Sequence, residues 1–392
     1  MGYGIGAAVA FLTRINKLLS HKVSTMKLRY KVLNSILAVI VLLIGSVAIA
    51  IGYTEDCEPA ASTTSENTMK AVIYRCYGGP EVLEYVDVAK PTPLDDEVLV
   101  KVHAAGVNPL DWHYMRGAPY VMRLMSGIGA PNRQTMGVDF AGVVEAVGKD
   151  VTKFKVGDRV FGGRSGAFGE YLTIPETKAI AHIPANMTYE QAAAVPIAAI
   201  TALQALRNLG EVEAGEKVLI NGASGGVGTY AVQIAKYYGA DVTGVNSTRN
   251  VAMVLGIGAD RVIDYKKDDY TTQDVKYDLI IDMVGNHSLT KNADVLKPTG
   301  RLVNVGSIAK GNWIGPLIKP IQTIFINPIT DPEIVGFVAT MNQEDIEILA
   351  KMMEEGKLTP VLDKSFPLAE TADAVAYSET GRARGKIIVT VN

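Results

Sequence analysis

The chain has 392 residues, which is enough for two domains of about 100–200 residues each. Its 38 Lys and Arg residues against 41 Asp and Glu give a formal net charge of −3, so no basic surface is available to neutralise phosphates. We therefore exclude a nucleic-acid-binding protein. The only cysteines, Cys57 and Cys76, are too few for a disulfide framework or a four-thiolate zinc lobe, and the sequence does not decide whether they pair.

The N-terminal part of the chain has the pattern of a membrane anchor. Residues 1–31 form a basic segment without any acid, and residues 32–54 carry no charge and are mostly Val, Leu, Ile and Ala. A helix that crosses a bilayer needs about 20 such residues, so residues 32–54 predict one transmembrane helix and a single-pass membrane protein. The basic residues before this span place the N-terminus in the cytoplasm by the positive-inside rule, which would separate the rest of the chain from the cytoplasmic cofactor pool. The side of the membrane is left open.

A second interpretation of the N-terminus begins at Met26. Lys27, Arg29 and Lys31 would then start a signal peptide, and Ala48-Ile49-Ala50 would be its cleavage site. The long basic segment favours the uncleaved anchor. Residues 55–68 are polar and predict a linker in either case.

The folded part of the chain begins near residue 69 with a β-rich region. Residues 70–74, 82–88, 97–104, 138–147, 159–162 and 170–174 alternate between apolar and polar side chains, as strands do, and Gly, Pro and Asp turns separate them.

An α/β region follows, and its first unit is residues 215–236. Residues 217–221 predict a strand, 222–228 a tight turn and 229–238 a helix. Ala223, Gly225 and Gly228 fall at the spacing of a dinucleotide-binding fingerprint, where small residues let the backbone approach a pyrophosphate at a helix N-terminus. Strand-like runs recur at residues 241–245, 261–265, 278–284 and 300–306, which indicates a doubly wound parallel sheet of the Rossmann type.

The same stretch carries a family resemblance. It resembles the signature of the zinc-independent quinone oxidoreductases of the zeta-crystallin type, within the medium-chain dehydrogenase/reductase superfamily, and the resemblance extends from about residue 69 to the C-terminus. The matching positions are Gly215, Glu216, Leu219, Ala223, Ser224, Gly225, Gly226, Gly228, Gln233 and Lys236. The resemblance implies an α/β protein with a GroES-like β-rich substrate domain (residues 69–190 and 359–392) and a Rossmann NADPH-binding domain (residues 191–358).

Two departures from the zinc alcohol dehydrogenases of the superfamily predict a site without metal. Asn108 stands where those enzymes carry a zinc-binding Cys, and residues 137–139 read Gly-Val-Asp in place of Gly-His-Glu. Neither an amide nor a valine can replace a thiolate or an imidazole as a zinc ligand. By resemblance, the nicotinamide and substrate cleft is lined by the candidate catalytic residues Asn108, Asp111, His113 and Tyr114. His113 stands where many members carry Tyr, so the proton donor is left open.

The cofactor is predicted to be NADPH. No acidic residue follows the second Rossmann strand to repel a 2′-phosphate, while Ser247 and Thr248 can donate hydrogen bonds and Arg249 can pair with the charge. Residues 384–386, Arg-Gly-Lys, are interpreted as surface charge. The predicted cofactor-binding residues are Thr201, Ala223, Ser224, Gly225, Gly226, Val227, Gly228, Ser247, Arg249, Tyr265, Val284, Gly285, Val305 and Gly306.

These observations predict a membrane-anchored, zinc-independent and NADPH-dependent oxidoreductase. Its substrate would be a small lipophilic quinone or α,β-unsaturated carbonyl, because a conjugated acceptor takes a hydride without a Lewis acid more readily than an alcohol gives one. An NADPH-binding sensor or interaction protein with little turnover is the alternative, and an alcohol dehydrogenase is a further one. Residues 313–329 are apolar and interrupted by prolines, and one role open to them is a homodimer contact.

Overall fold

The computed structural model describes residues 34, 35, 37, 39–57, 67–306, 311–313, 315, 322, 323, 327 and 332–391. The chain divides into two compact units, Met1–Tyr53 and Thr54–Asn392. The predicted basic segment (residues 1–31) lies outside the described residues, as do most of the predicted linker (55–68) and most of the apolar stretch 313–329.

The described residues 34, 35, 37 and 39–52 of the predicted anchor are helical, and residues 32, 33, 36 and 38 lie outside the description. No helix among the described residues is long and apolar enough to cross a membrane. This finding contradicts the predicted single-pass membrane localisation.

The described part of the second unit contains fifteen strands. They are β1 (Thr68–Ile73), β2 (Glu84–Ala89), β3 (Glu97–Val107), β4 (Asp139–Val147), β5 (Arg159–Gly163), β6 (Tyr171–Pro175), β7 (Ile180–His182), β8 (Lys217–Asn221), β9 (Asp241–Asn246), β10 (Arg261–Asp264), β11 (Tyr277–Asp282), β12 (Leu296–Asn304), β13 (Glu333–Gly336), β14 (Leu362–Pro367) and β15 (Lys386–Thr390).

Nine α-helices accompany these strands in the described part of the second unit. They are α1 (Pro109–Arg116), α2 (Arg123–Ser126), α3 (Tyr189–Ala193), α4 (Pro196–Gln204), α5 (Gly226–Tyr237), α6 (Val251–Gly256), α7 (Leu289–Asp294), α8 (Gln343–Glu354) and α9 (Thr371–Glu379).

Strands β8 to β13 form one six-stranded sheet in the order β10-β9-β8-β11-β12-β13, and every pair in it is parallel. This is the strand order of the doubly wound dinucleotide-binding fold, which brings the carboxyl ends of β8 and β11 together at the point where the order reverses. The strands read as apolar runs because helices cover the sheet: Val218, Leu219 and Ile220 of β8 are fully buried. The predicted Rossmann sheet is confirmed.

The core of this region lies between the sheet and its helices. Val218 and Ile220 of β8 pack in one cluster with Ala231 and Ile234 of α5 and with Leu279 of β11. The helix α5 begins at Gly226, three residues before the predicted start, and ends beside Gly239, whose φ of +83° suits glycine.

The β-rich region forms a seven-stranded sheet in the order β14-β15-β3-β4-β5-β7, and β6 also pairs with β3. Strand β15, near the C-terminus, lies antiparallel to β3, so that Ile387 is opposite Val107. Strands β1 and β2 form a separate antiparallel pair. Phe140, Ile174 and Val389 lie in the core of this region.

The start of the second unit is fastened to the region around α1 and α2. Cys57 and Cys76 form a disulfide, which answers the question that the sequence left open. Thr54 pairs with Gly129 in a β-bridge. Nη1 of the buried Arg123 donates a hydrogen bond to the hydroxyl of Thr54, with a donor–acceptor distance of 3.0 Å.

Candidate active site

Residues 222–228, which we call the glycine turn, connect β8 to α5 and include the first three residues of that helix. Gly222 has a φ of +91°, and a Cβ on Gly228 would lie 2.1 Å from the carbonyl oxygen of Gly222. Both positions therefore require glycine for the turn to close. A Cβ on Gly225 or Gly226 would have its nearest neighbour 3.4 Å away, so the backbone there is open to a ligand.

A cavity of about 700 Å³ lies over the carboxyl ends of β8, β9 and β11. Residues of the glycine turn form one wall, and residues of the β-rich region, among them Asn108 and Pro109, form another. The N-terminus of α5 meets the cavity at the glycine turn, and a helix N-terminus attracts an anion.

The end of β9 supplies polar groups to the same cavity. Ser247, Arg249 and Arg382 line it, and Nη2 of Arg249 donates to the carbonyl oxygen of Arg382 at 2.9 Å. The hydroxyl of Thr248 donates instead to the carboxylate of Asp264 at 2.6 Å, a hydrogen bond that lowers the pKa of Asp264. Thr248 is thus occupied within the protein, and the predicted contact of Thr248 with a cofactor phosphate is not favoured.

Two of the buried side-chain carbonyl oxygens that lack a hydrogen bond among the described residues belong to residues that line the cavity. The side-chain Oδ1 atoms of Asn246 and Asn250 have no partner among the described residues, while Nδ2 of Asn250 donates to the hydroxyl of Ser224 at 2.8 Å. Both asparagines line the cavity. Because buried polar atoms nearly always find partners, these two acceptors indicate that a ligand with hydrogen-bond donors belongs here.

On the opposite wall, Asn108 begins α1. Pro109 at the first helical position and Asp111 at the third favour a helix start here, and the backbone N–H of Asn108 donates to the Asp111 carboxylate at 2.7 Å. This capping box holds Asn108 at the edge of the cavity, with only 3% of its surface exposed.

Asn108 also belongs to a buried polar cluster, which we define as Asn108, Asp111, Asp139 and Lys386. Each of the four is at most 3% exposed. Nζ of Lys386 donates to Oδ1 of Asn108 and lies 3.2 Å from Oδ2 of Asp139. Nδ2 of Asn108 donates to the same Asp139 oxygen at 3.0 Å, and the backbone N–H of Ile197 donates to the other at 3.0 Å.

Burial dominates the electrostatics of this cluster. It raises the pKa of Asp111 to about 7, with a further rise from the nearby Asp139 and a smaller lowering effect from Lys386. Burial also raises the pKa of Asp139, which Lys386 and Asn108 partly offset. Lys386 therefore compensates two carboxyl groups that water cannot reach.

The remaining two predicted catalytic residues lie further along α1. Nδ1 of His113 is 2.7 Å from the carbonyl oxygen of Ala118, and burial lowers the pKa of His113. Its ring packs against Trp112 with 3.9 Å between ring centroids. Tyr114 is 39% exposed. Neither side chain lines the cavity.

Comparisons with known proteins agree with this architecture. The family model described as "Alcohol dehydrogenase GroES-like domain" matches residues 94–185, and that described as "Zinc-binding dehydrogenase" matches residues 257–389. A quinone oxidoreductase from Homo sapiens is 37% identical over 346 residues, covering 83% of this chain and 99% of the relative. The chain belongs to the quinone oxidoreductase family of the medium-chain dehydrogenase/reductase superfamily.

Further relatives of the chain are consistent with this membership. The chloroplastic NADPH-dependent alkenal/one oxidoreductase of Arabidopsis thaliana is 33% identical over 359 residues, covering 88% of this chain and 83% of the relative. The structure of a quinone oxidoreductase from Coxiella burnetii superposes with a TM-score of 0.74 at 32% identity, covering 83% of this chain and all of the other. The predicted family and the GroES-like plus Rossmann fold are confirmed, and the protein is an oxidoreductase of this family.

Ten of the eighteen predicted site residues line the cavity. They are Asn108, Ser224, Gly225, Gly226, Val227, Gly228, Ser247, Arg249, Tyr265 and Val284. The eight that do not line it are Asp111, His113, Tyr114, Thr201, Ala223, Gly285, Val305 and Gly306. The hydroxyl of Thr201, for example, donates to the carbonyl oxygen of Ile197 one turn earlier in α4, and Ala198 lines the cavity instead.

Sequence reasoning missed several residues that do line the cavity. They are Asn221, Asn246, Asn250, Asp268, Asp269, Tyr270, Met283, Asn286, His287, Arg382 and Lys386, among others. Lys386, interpreted as surface charge, is only 3% exposed. The residues that follow Lys386 could have indicated its burial, because Ile387 to Val389 are all apolar and continue the same buried strand.

The residues that the structure describes contain no group of three or more His, Cys, Asp or Glu side chains placed to hold a metal ion. At the two positions compared with the zinc enzymes, Asn108 is bound within the buried polar cluster and Val138 has no donor atom.

Proposed function

We propose that the protein is a zinc-independent, NADPH-dependent reductase of quinones or α,β-unsaturated carbonyls. The observation that carries this proposal is the cavity that the glycine turn and Asn108 share. A dinucleotide site and a candidate acceptor site therefore meet in one place, as hydride transfer between two bound molecules requires.

The residues around the glycine turn fit a dinucleotide. Gly225 and Gly226 carry no side chain that would keep a pyrophosphate away from the backbone, and the N-terminus of α5 favours its charge. The buried carbonyl oxygens of Asn246 and Asn250, which have no partner among the described residues, can accept hydrogen bonds from such a ligand. The predicted cofactor contacts of Ser224 to Gly228 and of Tyr265 are part of this proposal, and those of Thr201, Gly285, Val305 and Gly306 stay predictions.

Preference for NADPH rests on the charge at the end of β9. Ser247 and Arg249 line the cavity together with Arg382, which the sequence did not indicate. Asp264, the last residue of β10, is held by Thr248 and does not line the cavity, whereas Asp268 and Asp269 do. Two guanidinium groups and one hydroxyl suit a 2′-phosphate.

The hydrogen bonds of Asn108 support chemistry without zinc. Its carboxamide already binds Lys386, Asp139 and the carbonyl oxygen of Gly106, so it is not a metal ligand. NADPH, when bound, supplies a hydride to an electrophilic carbon of the acceptor. A quinone or enone suits such a site, because the negative charge spreads onto an oxygen that hydrogen-bond donors can hold.

The chain's own residues hold and orient the two molecules. Asn108 and Pro109 form the cavity wall against which the acceptor lies, and Asp111 holds Asn108 through the capping box. The name of the Arabidopsis relative, an NADPH-dependent alkenal/one oxidoreductase, supports the same substrate class and cofactor. Catalytic roles for His113 and Tyr114 stay predictions.

The experiment that tests this function follows the absorbance of NADPH and of NADH with the full chain. The acceptors are an ortho-quinone, an enone, an enal and, as a control, a simple aldehyde, each with and without a metal chelator. We expect acceptor-dependent loss of NADPH that is at least tenfold slower with NADH and unchanged by the chelator.

Other outcomes would replace the proposal. NADPH binding without turnover on any acceptor would favour a sensor or interaction protein. Turnover that the chelator abolishes, or oxidation of simple alcohols, would favour a metal-dependent alcohol dehydrogenase.

A further inference from the structure

The buried polar cluster contains a lysine at a position where burial of a charge lowers the stability of the fold. Lys386 is the first residue of β15 and is 3% exposed, and its partner Asp139 is fully buried at the start of β4. An uncompensated ion in such a place costs several kcal/mol of folding free energy, so a buried charge pair next to a cavity calls for a reason beyond stability.

Lys386 touches both walls of the cavity. The residue before it, Gly385, forms a β-bridge with Gly225 of the glycine turn, and a Cβ on Gly226 would lie 3.4 Å from Cδ of Lys386. Its Nζ, at the other end of the side chain, binds the carboxamide of Asn108. The side chain therefore spans from the glycine turn to the wall that carries α1.

The hydrogen bonds fix the orientation of the Asn108 carboxamide. Lys386 can only donate, so the atom that it binds must be the carbonyl oxygen of Asn108. The NH₂ group then points to acceptors, Oδ2 of Asp139 and the carbonyl oxygen of Gly106, at 3.0 and 3.3 Å. The ammonium group of Lys386 supplies a donor to the carbonyl oxygen of Asn108, and the two acceptors on the other side of the carboxamide favour the same orientation.

We propose that Lys386 is a positioning residue of the acceptor site, which holds the Asn108 carboxamide in one orientation and ties it to the glycine turn. This inference rests on the proposed reductase function for its kinetic consequences, but not for its structural ones. Lys386 acts through Asn108 and is not assigned a contact with the acceptor.

The variant Lys386→Met removes the ammonium group and keeps the apolar length of the side chain. We expect kcat with NADPH and an enone to fall at least tenfold, while the dissociation constant of NADPH, measured by fluorescence titration, changes less than threefold. Lys386→Arg keeps the charge and the donors, so we expect it to restore part of kcat.

The pH dependence of kcat is a second measurement, and a loss of packing alone would not change it. The titratable groups in or next to the cluster, besides Lys386, are Asp111 of α1, Asp139 of β4, Tyr230 of α5 and Tyr74, which follows β1. Both tyrosines stay neutral because burial raises their pKa values, so the two carboxyl groups titrate. In Lys386→Met their ionisation, and any limb of the kcat profile that follows it, should move to higher pH.

The test includes a measurement that does not need turnover. Amide hydrogen exchange without cofactor should become faster in residues 106–113 of Lys386→Met. The matched control is Lys297→Met, which removes a lysine paired with Asp278 at 2.7 Å and away from the cavity. It should leave the exchange of residues 106–113, the NADPH affinity and kcat unchanged.

A double-mutant cycle decides whether Lys386 acts through Asn108. If it does, Asn108→Ala and Asn108→Ala/Lys386→Met should lose kcat to the same extent within about threefold. Additive losses, a large rise in the NADPH dissociation constant with an unchanged pH profile, or unchanged exchange in residues 106–113 would each overturn the inference. If Lys386→Met does not fold, Lys386→Arg decides: wild-type kcat and exchange in that variant would also overturn it.

The wild-type protein separates this inference from the proposed function. If the wild type reduces no acceptor, the proposed function fails, and the exchange of residues 106–113 still tests the structural role of Lys386. If the wild type turns over and the Lys386 variants match it in kcat, exchange and pH profile, only the inference about Lys386 fails.

Discussion

The two walls of the cavity are built in different ways. The glycine turn and its neighbours β8 and α5 come from one continuous stretch, residues 217–237. The buried polar cluster is drawn from three places in the chain, and the hydrogen bond between Lys386 and Asn108 joins residues 278 positions apart. The first wall depends on local backbone geometry, whereas the second depends on the correct meeting of β4, β15 and α1. Substitutions should therefore affect the two walls differently.

The largest expected effect is on the local wall. In Gly228→Ala the new Cβ would lie 2.1 Å from the carbonyl oxygen of Gly222, which is backbone and cannot move aside cheaply. We expect a loss of more than about 3 kcal/mol in the free energy of unfolding, or no folded protein, together with loss of NADPH binding. Chemical denaturation and NADPH titration measure the two effects.

Two alanine variants serve as controls for Gly228→Ala. A Cβ on Gly256 in α6 meets no atom within 4 Å, so Gly256→Ala should be as stable as the wild type. Gly225→Ala should fold, because its nearest contact is 3.4 Å away, yet bind NADPH more weakly, since its backbone faces the cavity. A stable Gly228→Ala protein with wild-type affinity would show that the turn is not the rigid element that this comparison requires.

The second effect concerns the start of the second unit, where contacts also join residues that are distant in the chain. Replacing both Cys57 and Cys76 by Ser opens a loop of sequence separation 19, for which the chain-entropy relation gives about 3 kcal/mol of lost stability. Because Thr54 and Glu55 are bound to residues 123–129 beside this disulfide, hydrogen exchange should rise there more than in residues 217–237. Alkylation of two free thiols in the unreduced wild-type protein would contradict the disulfide itself.

Sequence reasoning predicted the local wall well. The strand, the turn and the helix of residues 217–237 follow from an apolar run, a set of glycines and a helix-length stretch that are consecutive in the chain. The predicted helix start at residue 229 was late, because the glycines before it are poor helix formers and yet belong to the first turn of α5. Tertiary packing against β8 decides this boundary.

The other wall could be predicted only in part. Asn108 and Asp111 were found because a capping box is a local pattern, but Lys386 is charged and was interpreted as exposed. Its burial depends on Asp139, which lies 247 positions away. The charged residue alone does not indicate such a partner, whereas the apolar residues that follow it do indicate a buried strand. The predicted membrane anchor is contradicted by a different observation, since no helix among the described residues is long and apolar enough to cross a membrane.

The third prediction uses pH to separate the two walls. The pKa of Asp111 is about 7 in the folded protein and about 4 in the unfolded chain. Between these values the folded protein keeps a proton that the unfolded chain releases, so stability must fall as the pH rises from about 4 to about 7. Asp111→Asn cannot titrate, and its amide oxygen can still accept the N–H of Asn108.

We therefore expect Asp111→Asn to gain about 3 kcal/mol in free energy of unfolding over the wild type as the pH rises through this window. Urea denaturation at several pH values measures the difference. The control is Asp264→Asn, where a hydrogen bond from Thr248 lowers the pKa of the native carboxyl group. In the wild type, the ionised Asp264 stabilises the folded protein at pH values above the pKa that this group has in the unfolded chain. Asp264→Asn should therefore lose stability relative to the wild type as the pH rises. Equal pH dependence in the wild type and Asp111→Asn would contradict the buried position of Asp111.

The smallest expected effect concerns the rim of the local wall, where side chains rather than backbone act on the ligand. Arg249 is exposed, and it lines the cavity beside Arg382. In Arg249→Ala we expect kcat/KM with NADPH to fall about tenfold, or about 1.4 kcal/mol, while kcat/KM with NADH stays within about twofold. Arg261→Ala removes an arginine bound to Asp241 and outside the cavity, and it should leave both cofactors unaffected. An equal loss with NADPH and NADH would assign Arg249 to the shape of the wall and not to the 2′-phosphate, because only the phosphate distinguishes the two cofactors.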